Sequence, residues 1–428
     1  MKGADKSGKA FGLSRTYIRP QDAEALEEHT GGSNASGLLR PSSAELDFTS
    51  DNPKGVEKSG LASLLGRGLI SLSGPDTAKF LQGLITNNVN HVSEAVPGHD
   101  TISKPPIDRR SRGFYSAFLD ARGRVLWDVF IYRKDGVTST KPWECYIEVD
   151  MGEAEALIKH LKRHKLRSKI NIEKVPLQEY VVFQAWGRDL DIDEHFTYIP
   201  HAVDQRFEKN AIRFLARNGD PPLGLKLPIL DYQAYRLWRY LHGIPEGPLE
   251  IPRESALPME YNIDLGHGID FKKGCYVGQE LTIRTKHTGI VRKRVLAVQL
   301  STSPIPANLE APLYDRKFPS NLIPANGAEI KQLDEDGNVK KGRPAGKFIS
   351  AAGNVGIALV RLEMMTSMRV SAEGGSWKPG MQFGIQSEGG EVLRVKAFAP
   401  QWFKERERNL WDKNRKRVFG EGGRESGE

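Results

Sequence analysis

Lys273-Gly274-Cys275-Tyr276-Val277-Gly278-Gln279-Glu280 sets one of the chain's two cysteines among a lysine, two glycines and a carboxylate. A thiol acts as nucleophile or metal ligand in its thiolate form, and Lys272 and Lys273 directly before it favour that anion electrostatically. Gly274 and Gly278 carry no Cβ, so the backbone can turn sharply there and let a ligand or partner chain approach. An isolated cysteine is commonly a small buried hydrophobe. The flanking residues argue otherwise, because buried charges need partners and interior glycines weaken a strand. Cys275 therefore reads as a presented thiol whose ionisation Lys273 tunes.

Other blocks lie outward from this one. Gly74-Pro75-Asp76 leads to Phe80-Leu81-Gln82-Gly83-Leu84-Ile85-Thr86-Asn87; a second block runs from Phe118 through Asp120-Ala121-Arg122-Gly123-Arg124 to Trp127-Asp128. Gly243-Ile244-Pro245-Glu246 and Leu257-Pro258-Met259-Glu260-Tyr261-Asn262 then lead into the cysteine motif. In residues and order, these blocks resemble the YgfZ-type proteins, folate-binding relatives of the glycine-cleavage aminomethyltransferase (GcvT). The continuation Leu281 to Gly289, with Val291-Arg292-Lys293-Arg294, is similar to the eukaryotic mitochondrial branch, which assists assembly of 4Fe-4S clusters. The resemblance covers about residues 60 to 295 and is looser beyond. One departure is Asp220-Pro221-Pro222, where the family commonly has Asp-Pro-Arg.

The resemblance implies an α+β, aminomethyltransferase-like (GcvT-type) multi-domain fold with a C-terminal antiparallel β-barrel, working in the mitochondrial matrix. Asp128 looks like the carboxylate with which aminomethyltransferases orient the amine on tetrahydrofolate. A carboxylate facing a pterin can accept its N–H groups. Strand alternation with Trp127 and Val129 equally allows Asp128 to point into solvent. Glu260 either lines the same cavity or pairs with a neighbouring base. Cys275 would ligate metal only jointly, in an iron-sulfur cluster shared with a partner such as an A-type scaffold protein. Two alternatives stand beside this: a folate-dependent aminomethyl or methyl transferase working without the thiol, and an RNA-associated factor in tRNA modification.

Composition sets independent bounds. The 428 residues, 39% hydrophobic and 27% charged, can bury a substantial core in two or three domains. No apolar run approaches the ~20 residues needed to span a bilayer, so no membrane partner is expected. Two cysteines make no disulfide framework. Cys145, in the alternating run Trp143 to Val149, reads as structural. The net charge of +8 raises nucleic acid as a partner, but the basic residues are spread along the chain and no zinc-finger or RRM pattern accompanies them. The densest cluster, Lys159, Lys162, Arg163, Lys165, Arg167 and Lys169, follows an apolar stripe of Ala154, Leu157, Ile158 and Leu161 and reads as the solvated end of a helix. His287, near the motif, either adds to a positive surface or is a packed loop histidine, the commoner fate.

The expected organisation is a disordered leader or presequence over 1–58, a first α/β part over 59–175, and a second over 176–290 carrying the motif. A barrel domain over 291–400 and a charged tail over 401–428 follow. Strands are expected at 69–73, 114–119, 125–132, 180–183, 294–300, 346–350, 355–362 and 392–398, with helices at 76–84 and 231–241. The Pro- and Asn-rich stretch 301–324 reads as a surface excursion. The tail, with Leu410 and Trp411 as its apolar anchors, is expected to be a short helix or an unstructured extension.

Overall fold

The computed structural model describes residues 57–92, 111–134, 143–187, 190, 196, 199–207, 211–222, 224–371, 374–386 and 390–419. The expected leader lies almost wholly outside the described residues.

In chain order the first strands are β1 (Gly60–Ser63), β2 (Arg67–Ser73), β3 (Gly113–Leu119), β4 (Val125–Arg133), β5 (Cys145–Asp150) and β6 (Asn171–Lys174). Next come β7 (Tyr180–Trp186), β8 (His201–Val203), β9 (Ala211–Arg217) and β10 (Ile229–Leu230). Helices α1 (Thr77–Gln82), α2 (Ala154–Lys165) and α3 (Tyr232–Leu241) fall among them, and α4 (Gln279–Thr288) follows the cysteine. The C-terminal part holds β11 (Lys293–Ser301), β12 (Glu329–Gln332), β13 (Gly346–Ala352) and β14 (Val355–Arg361), then α5 (Leu362–Met365), β15 (Phe383–Gln386), β16 (Val392–Phe398) and α6 (Gln401–Phe419).

The strands make two five-stranded sheets, β3-β4-β5-β2-β6 and β10-β1-β7-β9-β8, and a closed barrel in the order β11-β14-β13-β12-β15-β16. All neighbouring barrel strands are antiparallel, and closure leaves no edge open. β1 pairs antiparallel with β7, so the first ordered strand joins the sheet built mostly from the second α/β stretch.

The β3–β4 hairpin explains why both faces of the first sheet are apolar. Every residue of both strands is buried. Tyr115, Ala117, Phe130 and Tyr132 join one core, whereas Phe114, Phe118, Trp127, Val129 and Ile131 join another. Period-two alternation thus sends side chains into two different interiors. The second interior is closed by α2, whose buried stripe is Ala154, Leu157, Ile158 and Leu161, the spacing expected of one helical face.

α3 starts where Asp231 accepts the Ala234 amide at 2.8 Å. It fastens the α/β part to the barrel through Arg236, which donates to Ser350 Oγ at 2.6 Å. Of the two forms expected for the charged tail, the structure has the helix. α6 is docked on the body, with Phe403, Glu407 and Trp411 buried. Trp411 sits beside Phe271 in a T-shaped contact and donates to Asp264 at 3.0 Å, and Arg406 donates to the carbonyls of Gln205, Phe207 and Leu265. Phe403, Glu407 and Trp411 recur every four residues and so share one face of the helix.

Candidate functional site

The cysteine motif lies on an irregular segment that the earlier Gln82 to Asn88 stretch holds in place. Thr86 Oγ1 donates to the Gly268 carbonyl at 2.6 Å, and Asn87 Nδ2 donates to His267 O at 2.8 Å and Tyr115 O at 2.9 Å. The Asp270 amide donates to Thr86 O, and the Val277 amide to Gly83 O. The Thr-Asn block and the cysteine block, far apart in sequence, are therefore two halves of one hydrogen-bonded structure.

Within it Cys275 is exposed, while Cys145 is sealed in β5, where burial pushes its thiol far up. Gly274 is exposed beside Cys275, and a Cβ there would meet nothing. Tyr276 turns inward as an anchor, 6% exposed. Gln279 Oε1 accepts the Tyr276 amide at 3.3 Å, and Glu280 stands exposed in the first turn of α4. Gly278 adopts φ +80°, and a Cβ there would lie 2.3 Å from the Asp120 carbonyl oxygen and 3.2 Å from Gly123 Cα. Gly123, at φ +79°, faces it from the hairpin turn. This glycine-to-glycine approach seats the exposed hairpin tip against the start of α4. His287 is exposed near the end of α4.

Lys273 is engaged by backbone of the earlier segment. Its Nζ donates to the carbonyls of Gln82 at 2.8 Å, Ile85 at 2.7 Å and Asn87 at 2.8 Å, which engages all three ammonium protons. It also lies 5.0 Å from the Tyr276 ring centroid. Burial pulls its pKa down from 10.5 to about 7, with Asp270 opposing. The three carbonyls favour the protonated form, which alone can donate to each of them.

Asp128 does not face solvent. It is 4% exposed, because the face opposite Trp127 and Val129 looks into the interior between the sheets. Its Oδ1 accepts the Gly247 amide at 3.1 Å, and Oδ2 has no hydrogen-bond partner among the described residues. Burial raises its pKa, Arg67 and Arg206 pulling the other way and Glu246 adding to the rise.

That interior holds a charged network that sequence reasoning missed. Arg213 Nη2 lies 2.6 Å from Glu148 and 3.1 Å from Glu246, Arg67 pairs with Glu148 at 2.7 Å, and Arg206 bridges Asp204 and Glu246 at 2.8 Å each. Tyr132 donates to Glu148 at 2.5 Å and Tyr235 to Glu246 at 2.9 Å. Burial works against the Glu246 charge, yet Arg213, Arg206, Arg239 and Arg67 hold it well below the usual carboxylate range. Three guanidinium groups, Arg67, Arg206 and Arg213, thus pair with three carboxylates, Asp204, Glu148 and Glu246. The available signal was arginine inside apolar strands, as in Ala211-Ile212-Arg213-Phe214-Leu215.

Tetrahydrofolate can be tested against this arrangement. Asp128 Oδ2 is chemically suited to a pterin N–H, but Arg206, Arg213, Tyr132 and Phe130 fill the space between the sheets. The cleft nearby, lined by Tyr115, Arg206, Pro245, Tyr261, Asn262 and Trp402, has a cavity volume of about 10 Å³. That suits about one water, against the roughly 300 Å³ and more of a typical ligand pocket. That cleft by itself is too small for a pterin. Glu260 is corrected too: it pairs with Lys293 at 2.7 Å and does not line the cleft.

Comparison with known proteins defines the class and then the family. Residues 292–405 match the family described as CAF17, C-terminal beta-barrel domain. Over 81% of its length the chain superposes, with a TM-score of 0.52 and 14% identity, on 87% of the glycine cleavage system aminomethyltransferase T of Bartonella henselae, which establishes an aminomethyltransferase-like fold. The chain is 44% identical over 381 residues, 88% of each protein, to the "Iron-sulfur cluster assembly factor IBA57 homolog, mitochondrial" of Phaeosphaeria nodorum. It is 40% identical to the protein of that name from Neosartorya fischeri, over 82% of this chain and 83% of that one. The chain belongs to the IBA57 family of mitochondrial iron-sulfur cluster assembly factors.

Proposed function

We propose that the chain acts in the mitochondrial matrix as an iron-sulfur cluster assembly factor in which Cys275 supplies one thiolate ligand to a cluster, its cargo, shared with a partner. The observation that carries this is the contrast between the two cysteines: Cys275 stands exposed on a hydrogen-bonded loop, and Cys145 is buried in a strand. A cluster takes about four protein ligands, typically cysteines, so one accessible thiolate requires a second protein to complete the set. An A-type scaffold protein is the partner proposed, and 4Fe-4S enzymes of the aconitase, lipoate and radical classes are the proposed beneficiaries.

The residues of the motif divide the work. Cys275 meets the cargo, Gly274 leaves its approach open, and Tyr276 and Gln279 anchor the loop. No step of this proposal is routed through folate. In cells lacking the protein, wild type and Cys275→Ser are compared for restoring 4Fe-4S and lipoate-dependent enzymes. The serine variant is expected to accumulate folded and restore poorly; full restoration by it removes the thiol from the function.

A further inference from the structure

We infer that Lys273 is a positioning residue, a three-point clamp that holds the Cys275 loop on the Gln82 to Asn87 segment, so that the thiol's location is set by backbone carbonyls of a distant part of the chain. This rests on the reading of Cys275 as the working thiol. The Nζ contacts to Gln82, Ile85 and Asn87 fix the lysine end at 2.7–2.8 Å, two residues before the cysteine. Those carbonyls end α1 and the turn after it, where carbonyl groups lack intrahelical partners and favour a cation. On the other side of the thiol, the Val277 amide bonds to Gly83 O, and Tyr276 is buried with its ring centroid 5.0 Å from the lysine Nζ.

Cys275 is thus the outward point of a short arch with both feet on one receptor. The arch top, Gly274 and Cys275, is exposed. The geometry gives an exposed loop with a glycine at its apex fixed points on both sides of the thiol. A lysine that positions the loop should have its donors engaged by the protein; here all three go to backbone carbonyls of the Gln82 to Asn87 segment.

The full-length protein tests this by amide hydrogen exchange across residues 274–278 and by the iodoacetamide alkylation rate of Cys275 at one pH. Lys273→Met keeps the stem and removes the donors; Lys273→Arg restores donors to the same carbonyls. The methionine variant is expected to exchange at 274–278 at least about tenfold faster, as loss of several hydrogen bonds in a local opening requires. The arginine variant should recover most of that protection and the wild-type alkylation rate. Unchanged exchange in Lys273→Met, or arginine behaving like methionine, overturns the clamp. If the methionine variant fails to fold, the arginine variant decides alone: near-wild-type protection supports the clamp, and loss of protection sinks it. These readouts need no cluster. Should Cys275→Ser restore the cellular enzymes fully, the function fails while the exchange result still stands or falls by itself.

Discussion

Replacing Trp411 with alanine opens a hole where α6, α4 and the first barrel strand meet. The indole is fully buried, donates to Asp264 Oδ2 at 3.0 Å, and has Lys286 Nζ 4.6 Å from its ring centroid. Truncating a buried tryptophan to alanine costs about 3–5 kcal/mol. Asp264 keeps both bonds from Arg294, at 2.7 and 2.9 Å, so the lost indole bond adds only about 1 kcal/mol. The loss is bounded above by the docking energy of α6, because the helix can release instead of keeping a cavity. Lys286, which donates to the Leu410 carbonyl, then loses its acceptor, and α4 loosens with it. Urea unfolding should therefore report at least about 3 kcal/mol, or else an unchanged global midpoint with fast amide exchange in α6 and along Gln279–Thr288. A loss below about 1 kcal/mol with full protection of both helices refutes the view that α6 braces the cysteine-bearing helix.

Two further outcomes follow from the interior and the loop. Asp128 has a raised folded pKa, so its charged form is penalised in the native state; Asp128→Asn should melt at higher temperature than wild type at pH 7. The advantage should shrink as pH falls through the folded pKa and vanish below about 3.8, its unperturbed value; a variant less stable at pH 7 contradicts the assignment. Gly278→Ala puts a Cβ 2.3 Å from the Asp120 carbonyl oxygen at φ +80°, and should destabilise by about 2–3 kcal/mol from left-handed strain plus overpacking. A neutral effect in urea unfolding would mean that the hairpin tip is not seated on α4.

Much was legible because it depends on local chemistry. The 3.6-residue stripe of α2, the Asp231 start of α3, the hairpin closed around Arg122-Gly123 and four of the six barrel strands, β11, β13, β14 and β16, were expected from spacing, turn residues and caps. The exposure of Cys275 followed from its charged and glycine-rich neighbours. Asp128 could not be placed that way. Alternation fixes which side of a strand a residue occupies, but whether that side meets water depends on what packs there, and here a second sheet does. Glu260 was ambiguous for the same reason, until Lys293 supplied its partner.

The sequence by itself determined the elements, the family and the thiol, because periodicity, capping and a reactive-residue pattern are properties of neighbours in the chain. The tertiary structure alone decided what fills the centre and what the lysine does. Arg67, Glu148, Arg206, Arg213 and Glu246 come from three strands and two loops, and their ion pairs exist only once those segments meet. Lys273 next to a cysteine in sequence suggests a charge for the sulfur; in space its three protons find carbonyls nearly two hundred positions earlier in the chain, since a half-buried ammonium takes the acceptors that folding brings within 3 Å.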